Sequence, residues 1–478
     1  MLFNTLKIRW HDINAFNAAV IFGVTIAIIF VGIFAASFPW WMSIALAFVP
    51  VLIYLSFTAS HLVFFLILLL ILNAIPHKLI PKLPFGDGGL EIYDVLIILT
   101  LANLIVKSMI AGISLPNKLG ILIFPFIFTL SCVFVSFFYT RFFLPNPFVL
   151  AEARQHLAWL LLPIAVLSID SIEKYRAFIN VVLVIGTIVA AIMIFQSLTN
   201  INVIGGRVEE LDRFNTDITR STAGGAIYLI IFSLYFFLNA SFARHLSLWV
   251  GIPLLILLIS GLLVTFGRGI WVATAIGLVV ATYLYRGAAT AVLIPIAASL
   301  IVLMAIGLVS IGNPRMGEAI VDRTFGLSKE FEGGNSYVYR KTENIEALRV
   351  IPNRLFMGVG LGGAYKTVVT TNNTFEGETR YIHNGYLVLP LKMGMHAALI
   401  PFLFIFATIV IARRAVTFSF QDSKHIPAAA SGAFIVPVIT SFTQPEWGVL
   451  PGITAICTLM LVLLLHSRFC TFESRSVF

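Results

Sequence analysis

The chain has 478 residues, of which 59% are hydrophobic and only 11% charged, with a formal net charge of +9. Soluble globular proteins carry about 25% charged residues, so a soluble domain is excluded. No Lys/Arg-rich run accompanies the positive balance, which argues against nucleic acid as a partner. Cys132, Cys457 and Cys470 have neither metal-ligand nor disulfide-framework spacing and read as small apolar fillers.

At the N-terminus, Lys7 and Arg9 precede an apolar run, Ala15 to Ser37, long enough to span a bilayer as an uncleaved anchor. Apolar runs of about the required 20 residues then recur along the chain. They are continuous rather than alternating, which excludes a β-barrel. The sequence therefore predicts an all-α fold, a polytopic transmembrane helix bundle of about 12–14 spans. They fall near 15–37, 40–58, 61–76, 92–113, 119–139, 156–170, 177–196, 223–240, 246–266, 269–285, 288–312, 384–412, 428–443 and 447–466. Residues 1–312 form the first part of the bundle, 313–383 a large loop and 384–478 the second part.

Charges on the short loops orient the bundle. With the N-terminus in the cytoplasm, Lys118, Lys174, Arg176, Arg244, Arg286, Arg413, Arg414 and Lys424 lie on the inner side, and Arg468 and Arg475 follow there. Fewer basic residues mark the outer connections: Lys78, Lys82, Arg141 and Arg154. This asymmetry is the positive-inside pattern and predicts both termini inside.

Three polar features then fall on the outer face: Gly205 to Thr222, the tight joint Thr265 to Trp271, and the segment Asn313 to His383 with its 17 Asp, Glu, Lys and Arg residues. Loops this long are usually functional or disordered. Between Ser336 and Phe356, Val338, Ile345 and Leu348 lie on helical spacing and Pro352 stops the run, so one or two helices over the bundle mouth are expected. The glycine-rich stretch Gly358 to Gly363 has no preceding strand and no following Lys-Ser/Thr. It reads as a flexible turn, not a phosphate loop.

Candidate residues each have a plain alternative. Arg268, between Gly267 and Gly269 at a span end, is either an interfacial anchor beside Trp271 or an anion ligand that the glycines leave room to approach. Arg340 is either part of a solvated helix face paired with Glu343 or a second anion ligand. Arg207, Arg213 and Arg220 share a loop with Glu209, Glu210, Asp212 and Asp217, where mutual pairing is the plain reading. Asn384 suits a helix N-cap, which leaves the imidazole of His383 unexplained; histidine exchanges protons near neutral pH. Lys392, a few residues later, marks either a break or an inward-facing charge. Arginine forks from separate segments together with one histidine suit a glycosyl diphosphate. No Asp-x-Asp pair accompanies them, so the arginines would supply the positive charge.

These positions also resemble a family. Leu263 to Ala273 is similar to the arginine-bearing span motif of the bacterial O-antigen ligase and polysaccharide polymerase family. Ser336 to Tyr365 resembles its large periplasmic loop, and Tyr381 to Gly394 its His-Asn motif. The resemblance covers Gly205 to Gly394, and the order of the arginines and the histidine is the family's. It departs in having Gly267 where members often carry serine, and in lacking a clear aromatic after the loop arginine.

The resemblance implies a C-type membrane glycosyltransferase of the bacterial inner membrane that uses neither metal nor cofactor. The donor would be a glycan on undecaprenyl diphosphate, and the acceptor a saccharide or lipid A-core. Membrane lipids and other polysaccharide-assembly proteins would be its remaining partners. On this analogy Arg268 and Arg340 hold the diphosphate and His383 assists the acceptor hydroxyl. Arg207, Arg220 and Asn384 are further candidates for substrate contact. A repeat-unit polymerase is preferred over a lipopolysaccharide ligase. A lipid-carrier flippase is the alternative of another class.

Overall fold

The computed structural model describes residues 51, 54–75, 82–83, 90–112, 114–144, 146–204, 208–210, 219–242, 246–286, 335–368, 377–420 and 423–476, with scattered positions between 299 and 321. The expected span at 15–37, most of those at 40–58 and 288–312, and Arg207 and Arg213 lie outside them.

The described chain is overwhelmingly helical. In order it forms α1 (Ser60–Ile71), α2 (Ile92–Ile110), α3 (Leu115–Leu119), α4 (Ile123–Phe143), α5 (Val149–Gln155), α6 (Leu161–Ser168) and α7 (Ile172–Thr199). There follow α8 (Ala226–Phe242), α9 (Leu248–Leu263), α10 (Arg268–Arg286), α11 (Asn335–Val350), α12 (Gly385–Met393), α13 (Leu399–Thr417), α14 (His425–Thr440) and α15 (Leu450–Ser476). Three short antiparallel ladders decorate them: β1 (Lys82–Leu83) with β2 (Leu90–Glu91), β3 (Val208–Glu210) with β4 (Thr219–Ser221), and β5 (Lys366–Val368) with β6 (Gly377–Thr379). Seven described helical segments are long and apolar enough to cross a membrane, and four shorter apolar helices accompany them. The protein is a multi-pass membrane protein with an all-α bundle.

Close packing holds the helices where lipid offers no hydrophobic drive between them. α10 lies along α14, with Gly277 facing Gly432; a Cβ on Gly277 would sit 2.6 Å from the Gly432 carbonyl oxygen. Beside this pair α8 packs between α7 and α14. Trp159 stacks on Phe404 of α13 at 4.3 Å and lies near Trp447 in the turn before α15.

One expected span is divided. The run 384–412 is not a single helix: α12 ends at Met393, Gly394 takes φ +96°, and 395–417 makes the crossing. At about 1.5 Å per residue, the nine residues of α12 cannot cross a hydrocarbon core of about 30 Å. Both its ends are tied to the same end of the bundle. Gly385 donates its N–H to the Ser441 carbonyl after α14, and Met395 donates to the Leu355 carbonyl of the large loop. α12 is therefore a lintel across the bundle mouth.

The glycine-rich turn is the other departure from expectation. Instead of a flexible turn, it is packed against α12 and α4. Val359 and Gly360 donate to the carbonyls of Leu391 and Lys392 at 2.8 and 3.1 Å, and Leu361 to the hydroxyl of Thr140 at 3.0 Å. Gly358, Gly360 and Gly362 have φ of +61°, +83° and +75°, where a side chain would be strained as well as crowded. Lys392, 2% exposed, seals the clamp with Nζ at 3.1 Å from Glu152 Oε2 of α5 and 2.9 Å from the Gly363 carbonyl. Both readings of this lysine hold: it stands at a helix break and it faces inward.

Candidate active site

Of the residues singled out by sequence, Arg268 and His383 each stand just before a glycine, Gly269 and Gly385, that packs on the turn after α14. The joint between α9 and α10 turns within a few residues because buried Phe266 adopts φ +48°, a left-handed conformation uncommon for a non-glycine residue. Trp271 fastens the turn by donating its indole N–H to the Leu262 carbonyl at 2.9 Å. Arg268 is thereby the first residue of α10. A cation at the positive end of a helix is unfavourable for the helix, so helix stability gives no reason for an arginine here. Bound anions gain from both the arginine and the helix terminus.

Arg220 on β4 reaches the same joint. Its Nε donates to the Thr265 carbonyl at 2.8 Å, and the Ser221 N–H to the Val264 carbonyl at 3.1 Å. Gln196 at the end of α7 supports this strand through the Ser221 hydroxyl at 3.0 Å. The turn after α14 closes the other side: Gly269 lies against Thr443, while Gly385 at the start of α12 lies against Gln444 and Glu446.

His383 stands at the entry to α12. Asn384 is its N-cap, with Oδ1 accepting from the N–H groups of Tyr386 and Leu387 at 3.0 and 3.2 Å. That is the capping role its type suggested. The imidazole pairs with Glu343 of α11: Nδ1 lies 2.8 Å from Oε2, and the His383 backbone N–H lies 3.4 Å from the same oxygen. Tyr381 and Tyr339 stand edge-on to the ring at 4.8 and 6.1 Å. The Tyr365 hydroxyl, donating to the Tyr381 carbonyl at 3.3 Å, fixes that wall. Burial, followed by the Glu343 charge, raises the Tyr339 and Tyr365 phenols above their ordinary values, so both stay neutral donors.

The loop helix forms as its spacing suggested, but its buried face is different. Ile345 and Leu348 are 41% and 55% exposed, while Glu343, Ala347 and Ile351 are buried. Glu343 does not pair with Arg340 as the local (i, i+3) reading had it; it faces His383, 40 residues away. Arg340, one turn before Glu343, is partly exposed and forms no ion pair among the described residues. α11 thus carries both Arg340 and the carboxylate that touches the histidine. Arg207 lies outside the described residues.

Two acidic residues at this mouth escaped the sequence reading. Glu343 was visible only as a local helix partner. Glu446 lies fully inside the protein beneath the start of α12, and burial pushes its carboxyl up to about 7, with the Tyr228 hydroxyl pulling the other way. An isolated carboxylate in a turn between apolar helices was its one available signal. Among the described residues no three His, Cys, Asp or Glu side chains converge as a metal site.

A family model described as O-antigen ligase matches residues 253–403, from α9 through α13 and including Arg268, Arg340, Glu343 and His383. The match covers about a third of the chain, and over that segment the chain is similar to the O-antigen ligase family. A comparison with curated proteins gives no match.

Proposed function

We propose, with the similarity to the O-antigen ligase family as premise, that this chain transfers a glycan from an undecaprenyl-diphosphate carrier to a saccharide acceptor at the periplasmic face of the bacterial inner membrane. The observation that supports the proposal is that Gly269, next to Arg268, and Gly385, just after His383, both pack on the turn after α14, with Arg220 bonded to the Arg268 joint and Glu343 paired with His383.

In this reading Arg268 and Arg340 bind the diphosphate, with Arg220 beside the joint and Arg207 on the same loop as further contacts. The acceptor hydroxyl oxygen attacks the anomeric carbon, the bond from that carbon to the diphosphate oxygen breaks, and undecaprenyl diphosphate leaves with the electron pair. His383 Nε2 takes the hydroxyl proton. Charge develops on the leaving diphosphate, so fixed cations in a water-poor mouth stabilise the transition state; one such contact is typically worth about 2.7–4 kcal/mol. The arginines supply that charge without a metal. Asn384, whose Oδ1 is committed to the cap, retains its amide N–H groups for a sugar hydroxyl. A repeat-unit polymerase is the preferred member of the class.

Purified protein given a lipid-linked glycan and candidate acceptors tests this. H383A, R268A and R340A should each lower the formation of new glycosidic bonds by at least about 10²-fold, and the wild-type product should be a lengthened lipid-linked chain. Glycosylated lipid A-core instead would identify a ligase. Wild-type transfer by all three variants, or lipid translocation without any glycosidic bond, overturns the proposal.

A further inference from the structure

The imidazole is held by a side chain from a different part of the chain. Glu343 is 1% exposed, and its Oε2 lies within reach of two hydrogens of one residue, the Nδ1–H and the backbone N–H of His383. A carboxylate offers only acceptors. An oxygen receiving the backbone N–H beside the ring therefore assigns the ring proton to Nδ1 and leaves Nε2 as a bare acceptor. Tyr381 and Tyr339 wall the ring edge-on and restrict its rotation.

We propose that Glu343 is the positioning residue for His383: it fixes the Nδ1–H tautomer, aims Nε2 into the mouth and stabilises the imidazolium formed when Nε2 takes the acceptor proton. This rests on the reading of His383 as the base. The pair also divides the base between two segments, since His383 leads into the lintel α12 while Glu343 rides on α11 one turn from Arg340. The base and Arg340 thus depend on the same helix.

The test combines kinetics with a direct view of the proton. In wild-type protein labelled with ¹⁵N-histidine, the resonances lost in H383A should show a protonated Nδ1 and a bare Nε2. E343Q should lower kcat by about 10²-fold, the lower end of what a positioned base contributes, with the donor KM within about twofold. E343D, which keeps the carboxylate, should recover part of that loss. In the H383A background E343Q should cost nothing more, because the two act as one unit. An Nε2–H tautomer in the wild type would falsify the assignment without any variant having to fold. Loss through a raised donor KM and lowered thermal stability, persisting with H383A, would reduce Glu343 to a docking contact. Should H383A itself transfer glycan normally, the base reading falls. Should H383A be inactive while E343Q is fully active, only the present inference falls.

Discussion

The two ends of the bundle treat polar groups differently. At the mouth, charges are buried and paired over long stretches of chain: Lys392 with Glu152, His383 with Glu343, and Arg154 with both Glu91 and Asp94 at 3.3 and 3.5 Å. At the far end, His466 sits between the hydroxyls of Tyr175 and Ser419 at 3.0 and 2.8 Å, and Asp170 pairs with Lys174 one turn away in an exposed position. Buried ion pairs are poor sources of stability, since desolvation offsets their attraction. Their concentration at one end therefore points to work done there.

Substitutions can break this contrast, and the largest effect belongs to the clamp. Lys392→Ala strands Glu152 beside the glycine-rich turn and should cost up to about 3–5 kcal/mol in thermal unfolding in detergent. The double variant with Glu152→Ala should recover part of it; an additive double loss would mean that the pair is not coupled. The next effect is pH-dependent. Because the folded Glu446 carboxyl sits at about 7 against an ordinary 4.5, the native state keeps a proton that the unfolded chain releases between these values. Its stabilising contribution, roughly 3 kcal/mol, is complete below about pH 4.5 and lost as pH rises through about 7. Glu446→Gln should flatten that dependence, and an unchanged melting profile from pH 4.5 to 7.5 would refute it. The far end should respond least: Tyr175→Phe by about 1 kcal/mol for one hydrogen bond, and Asp170→Asn by a few tenths for an exposed pair. A larger loss there than at Lys392 would reverse the comparison.

Much of this architecture was legible in the sequence because apolar run length is a direct consequence of bilayer thickness. The described spans fall where the runs do, and Asn384 could be read as a cap from its type alone. The arginines and His383 stood out because charge beside hydrocarbon is costly. What stayed hidden was tertiary. Glu343 looked like a partner for Arg340, three residues away, because only local spacing is visible in a sequence; its true partner comes after a hairpin. The glycine-rich turn looked flexible because glycine serves both freedom and close approach, and only the neighbouring carbonyls of Leu391 and Lys392 decide between them. The division at Gly394 was hinted at by Lys392 alone, because hydropathy runs on continuously from the lintel into the span.

The lysine clamp also has a consequence in time. Glu152 and Lys392 are 240 residues apart. At about 5–20 residues per second of synthesis, the glutamate waits on the order of 10–50 s for its lysine to exist. During that interval α5 enters the nascent protein with an acidic group whose permanent partner has not been made. The clamp is thus closed late, and a chain stalled before α12 holds helices but no site.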